Sequence, residues 1–110
     1  MQAERVTPVI PVDDLESAVP VWTQLLGTDP TFVDGDRWAQ FDVGSSRVVL
    51  AGTGRPSDEA GVMIKVANLE AAKSELEAAK LTIGEIQTGP HELRALVTGA
   101  GAPVTIYSSL

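Results

Sequence analysis

The sequence predicts an α+β fold in which one β-α-β-β-β unit is used twice. Three observations carry this. Ile10–Ala18 (IPVDDLESA) and Ile64–Ala72 (IKVANLEAA) share five of nine residues at an offset of 54, almost half of the 110-residue chain. Each copy opens on a stretch of period-2 alternation and passes into a stretch of helical spacing. Three short strand candidates with turn residues between them then follow each helix. The chain is one domain of two pseudo-repeats, 1–54 and 55–110.

In the first strand Val6, Pro8, Ile10 and Val12 alternate with Arg5, Thr7, Val9 and Pro11. Pro8 and Pro11 cannot donate to a ladder, so this strand is irregular or lies at an edge. Asp13 or Asp14 caps the helix that follows, and Glu16 stands in its first turn. Leu15, Ala18, Val19, Trp22, Leu25 and Leu26 form its apolar face, and Gly27 stops it. Pro20 inside this helix removes one backbone hydrogen bond and predicts a kink. Strands are expected at Pro30–Asp34, Arg37–Val43 and Ser46–Ala51, with turns at Gly35-Asp36 and Gly44-Ser45. Gly52–Ala60 is linker-like and falls at the midpoint.

The second copy starts with Val62, Ile64 and Val66 alternating with Gly61, Met63 and Lys65. Asn68 caps its helix, whose apolar face is Leu69, Ala72, Leu76 and Ala79. Strands are expected at Ile83–Thr88, Glu92–Thr98 and Pro103–Ser108, with turns at Gly89-Pro90 and Gly99-Ala100-Gly101.

Composition narrows the function. The formal net charge is −7, which excludes a basic nucleic-acid surface. With no cysteine there is no disulfide, thiol nucleophile or thiolate metal site. One histidine, His91, cannot build a His-rich metal site within one chain, and it sits in a turn where a solvated role is expected. No apolar run approaches the roughly 18–20 residues that span a bilayer. The N-terminus shows no basic n-region before an apolar stretch, so a cytoplasmic protein without a membrane partner is expected.

Val6–Gly27 (VTPVIPVDDLESAVPVWTQLLG) carries Asp14-Leu15, then Ala18, Trp22 and Leu26-Gly27 after a strand. With the closing stretch Gly101–Ser109 (GAPVTIYSS) and the half-length repeat, this resembles the vicinal oxygen chelate superfamily. That group includes glyoxalase I, the extradiol dioxygenases and the fosfomycin- and bleomycin-resistance proteins. The resemblance covers essentially the whole chain. It implies a cupped mixed sheet with the helices on the convex face and a cavity on the concave one. Metal-dependent members place a His or Gln in the first strand of a unit, seven residues before the Asp-Leu, and a Glu in its last strand. The corresponding positions here hold Thr7, Val49, Gly61 and Thr105. Gly and Val offer no side-chain donor, and a Thr hydroxyl alone is a poor ligand for a divalent transition metal. No metal and no other cofactor is therefore expected.

If Phe41, Val48, Leu50, Val104 and Ile106 pack under the helices, their neighbours line the cup. These are Trp38, Gln40, Arg47 and Val49 from the first copy, and Met63, Lys65, Arg94, Thr105 and Tyr107 from the second. Phe32 is added as a candidate that could face either way. Aromatic faces with a few polar groups suit a planar or aromatic small molecule. The acidic balance would attract a cationic one at long range. No His–carboxylate pair falls on the concave positions, and no base is placed near Ser45, Ser46, Ser108 or Ser109, so no catalytic residue is assigned. The resemblance is strongest to the metal-free, drug-binding members, which sequester a natural product and act as homodimers. An enzyme with relocated metal ligands and a ligand-free structural module are the competing expectations.

Overall fold

A computed structural model describes all 110 residues, and the elements follow in the expected order. The chain packs as two compact units. One is Thr7–Ala60; the other is Gly61–Leu110 together with Met1–Val6. Strand β1 (Arg5–Pro11) thus begins in one unit and ends in the other.

In the Thr7–Ala60 unit the strand order is β2 (Phe32–Asp34), β3 (Trp38–Val43), β4 (Ser46–Ala51), β1. The hairpin β3–β4 turns at Gly44, whose φ of 57° suits a residue without Cβ. β4 lies parallel to β1, with Val9 opposite Val49 and Pro11 opposite Ala51. Parallel pairing needs a crossover, and α1 (Leu15–Leu26) begins it. The Asp14 carboxylate accepts from the Ser17 backbone N–H and hydroxyl, and Gly27 closes the helix at φ 69°. These hydrogen bonds hold the Asp14 carboxyl below its ordinary pKa. The helix runs unbroken through Pro20, which is exposed.

Leu15, Ala39, Phe41 and Leu50 form the buried core here, with Ile10, Val12, Ala18, Val19, Trp22, Leu26 and Val48 packed on them. Leu25 departs from expectation, being 69% exposed. At 100° per residue it lies about 80° off the stripe through Leu15, Trp22 and Leu26. β2 is shorter than expected because Pro30 has no N–H to pair. β3 starts one residue late, since the Arg37 N–H donates to Asp34 O in the turn. The linker-like stretch is pinned by Arg55, which donates to the carbonyls of Val12 and Gly52 and pairs with Asp13 and Asp58.

In the other unit the order is β5 (Gly61–Lys65), β9 (Val104–Ser109), β8 (Glu92–Thr98), β6 (Thr82–Ile83), and β7 (Gln87–Thr88) also pairs with β8. β5 and β9 are parallel, with Met63 opposite Thr105 and Lys65 opposite Tyr107. The Asn68 side chain accepts from Ala71 N–H and starts α2 (Leu69–Ala78). Ala79, expected on the apolar face, is an exposed C-cap. Val66, Leu69, Ala72, Ile83, Ala95 and Ile106 are the core, with Ile64, Leu76, Ile86, Leu93 and Val97 against it.

The strand expected at Ile83–Thr88 is divided. Ile83 opposes Val97 and Gln87 opposes Arg94, so four steps on the edge oppose three on β8. One extra residue is accommodated there as a bulge, beside Gly84, whose N–H still reaches Leu96 O. Strict alternation would put Ile83 and Ile86 on opposite faces. The extra residue lets both reach the core. β9 starts at Val104 rather than Pro103, and Ser108 within it is buried.

Candidate functional site

Alternation along the strands fixes two faces in each unit, and one of them is covered by a helix. In the Thr7–Ala60 unit Ala39, Phe41, Val48 and Leu50 take the helix side. The helix-free side then follows from register. Phe32, Gln40, Val49 and Val9 lie in one row across four strands. Trp38, Ala51 and Pro11 lie in a second, and Asp42 with Arg47 in a third. Phe32, which the sequence left open, is on this face and 48% exposed. Trp38 and Gln40 are half-buried, and Val49 is buried.

The same rule applies in the other unit. Met63, Thr105 and Leu96 make one helix-free row, and Lys65, Tyr107, Arg94 and Gln87 make the next. Met63, Lys65, Thr105 and Tyr107 are half-buried. The exposed Arg94 pairs with Glu92 through Nη1–Oε1 at 3.0 Å, while the other Glu92 oxygen accepts from His91 N–H. Its near charge is therefore a carboxylate of its own strand. The exposed His91 stays in the turn. Each unit thus gathers its own share of the expected residues on one face.

Around Asp42 there is a polar network that alternation could have found by extending Trp38 and Gln40 by two residues. Arg47 Nε donates to Asp42 Oδ1 at 2.6 Å. Asp42 Oδ2 accepts from the Thr31 hydroxyl at 2.7 Å and from Gln40 Nε2 at 3.0 Å. The Arg47 guanidinium, then the Thr31 hydroxyl, hold the Asp42 carboxyl well below the usual carboxylate range. It is a fixed anion at neutral pH and no proton donor.

Thr7 is buried on the same face, and its Oγ1 has no hydrogen-bond partner. An unpaired buried hydroxyl costs about 1–3 kcal/mol, so it stands as an unused donor and acceptor.

The donor set that a resident metal of the resembled kind would need does not fit these residues. Val49 has no donor atom. A Cβ at Gly61 would stand 2.1 Å from Pro103 O, so no ligand side chain fits there on this backbone. Thr7 and Thr105 offer hydroxyls alone. Nowhere do three or more of His, Cys, Asp and Glu come together as a metal-holding group. No helix is long and apolar enough to cross a membrane.

The sequence matches no protein-family model and no curated protein. The fold is nonetheless shared with solved structures. A NAD-dependent benzaldehyde dehydrogenase from Legionella pneumophila superposes with a TM-score of 0.83 at 10% identity, over 96% of this chain and 100% of the other. A glyoxalase/bleomycin resistance protein/dioxygenase superfamily member from Vibrio splendidus 12B01 gives 0.72 at 12% identity, over 96% and 98%. Methylmalonyl-CoA epimerase from Mycobacterium tuberculosis gives 0.74 at 15% identity, over 94% and 86%. At these identities the likeness is one of fold.

Proposed function

We propose that this protein binds a planar or aromatic small molecule and sequesters it without changing it, in the manner of bleomycin-resistance proteins. The observation that carries the reading is the helix-free face of the Thr7–Ala60 unit. There Phe32 and the half-buried Trp38 offer stacking and apolar contact, with the Asp42–Arg47 ion pair beside them. The carboxylates on that face are tied to arginines, Asp42 to Arg47 and Asp34 to Arg37, and the chain's one histidine is in a turn of the other unit. The shared fold with a glyoxalase/bleomycin resistance protein/dioxygenase superfamily member supports the reading.

An enzymatic reading draws on the other neighbours, which are an epimerase and a dehydrogenase by name. It would need a metal held elsewhere than at Thr7, Val49, Gly61 and Thr105. Metal analysis after mild purification decides it: stoichiometric Zn, Ni, Mn or Fe would overturn the binding reading. The direct test is a thermal-shift panel of intercalators, quinones and glycopeptide antibiotics. A saturable rise in Tm with a planar member of the panel is expected. No shift across the panel would sink the proposal. A homodimer is proposed as the working state, and light scattering that gives the mass of one chain would refute it.

A further inference from the structure

We propose that the molecule bound on the Thr7–Ala60 face carries a carboxylate, and that this group sits on Arg47. The inference rests on the binding reading above and names the ligand's chemistry. Arg47 spends its Nε on Asp42, and Asp42 is itself braced by Thr31 and Gln40. The arginine is therefore anchored from one side. Its two terminal nitrogens have no partner in the protein, although the side chain is only 23% exposed. A guanidinium held this way offers parallel N–H donors at the spacing of two carboxylate oxygens.

Thr7 is the second, independent observation. Its buried, unpartnered hydroxyl lies on the strand next to β4, two residues before Val9 and on the same face. The parallel pairing begins with Val9 opposite Val49, and extrapolated back by two residues it brings Thr7 level with Arg47. A neutral donor thus adjoins the charged one.

The rest of the face decides the shape. The row after Arg47 is Val9, Val49 and Phe32, interrupted only by Gln40, and Trp38 stands in the row beyond. From Arg47 to the Trp38 row is four residues along the strand, about 13 Å. An acid with a two-ring aromatic body spans that length with its head at Arg47. A cationic ligand would meet Arg47 with the only nearby carboxylate of its row, Asp42, already taken. The net charge of −7 acts on approach from a distance, whereas the local partner sets the affinity.

The test compares 2-naphthoate with its neutral isostere, 2-naphthamide, by titration of tryptophan fluorescence on the full chain. The acid is expected to bind about tenfold tighter or more, as a charge-assisted pair requires. R47Q should bring the acid down to the affinity of the amide, and T7V, which keeps the shape, should cost the acid a smaller factor. Circular dichroism checks that both variants fold. The wild-type comparison stands even if one does not. If acid and amide bind equally, or the amide binds better, the carboxylate inference falls and the binding reading survives. If neither binds while a planar member of the panel does, the carboxylate inference falls and the binding reading survives; if nothing in the panel binds either, both fall.

Discussion

Gly61 gives a demanding test, because its lack of a side chain is part of the argument against a metal at this position. Its backbone is not in the left-handed region, so the issue is space. An alanine Cβ would lie 2.1 Å from Pro103 O, against 3.4 Å or more in ordinary contact. The Pro103 carbonyl would have to withdraw by over 1 Å. It is also the acceptor for Val62 N–H at 3.0 Å, in the parallel pair β5–β9. Overpacking of this kind costs about 1–3 kcal/mol, and a weakened ladder bond adds about 1. The stiffer unfolded chain returns about 0.4–1 kcal/mol. Gly61→Ala should therefore lose about 1–3.5 kcal/mol. With a melting entropy of about 2.1 cal/mol/K per residue, that is a fall in Tm of about 4–15 °C by scanning calorimetry. Gly61→His, which supplies a ligand type, should melt lower still and gain no stabilisation from added zinc. A Gly61→Ala protein that melts with the wild type or above it would refute the claim that this position is closed.

Three further outcomes are expected. Asp42 has a folded pKa below its unfolded value near 3.9, so its stabilisation is complete above that value and fades as pH falls through and below it. The Tm advantage of the wild type over Asp42→Asn should therefore shrink between about pH 5 and pH 3, and a gap that is constant with pH would contradict the ion-pair geometry. Asn68→Ala removes the acceptor for Ala71 N–H at 3.0 Å and should cost about 1 kcal/mol in urea denaturation, an unchanged midpoint being the adverse result. Trp38→Ala should weaken a planar ligand found in the panel while the far-ultraviolet circular dichroism is kept; a loss of folding would assign Trp38 to the core instead.

The order of elements was legible because each rests on a local pattern. Asp14 and Asn68 each precede a stripe of helical spacing, and the side chains of both accept from the N–H three residues on. The faces of β3, β4, β5 and β9 were legible for the same reason, since alternation and register agree wherever no residue is inserted. The edge was not legible. The residue accommodated near Gly84 leaves no mark in composition, and it reverses which side chains face the core beyond it. Leu25 shows the limit of counting apolar residues on a helix, because a stripe about 80° wide of its centre is already in solvent. At the candidate site the sequence marks the aromatic residues and Arg47 but not the role of Asp42. A carboxylate between polar residues on a strand looks like solvated surface until its partner strand is known.

The bulged edge has one more consequence. A sheet edge with free N–H and C=O groups is a template on which another chain can add a strand. In the Thr7–Ala60 unit the edge strand β2 is only three residues long and ends in Asp34, which pairs with Arg37. In the other unit the edge is broken into two-residue pieces, β6 and β7, offset from each other by the inserted residue. Neither offers the straight run that an incoming strand needs. Irregularity at these two margins thus acts as protection against fibril-like growth, and a deletion that straightened Gly84–Gln87 would remove it.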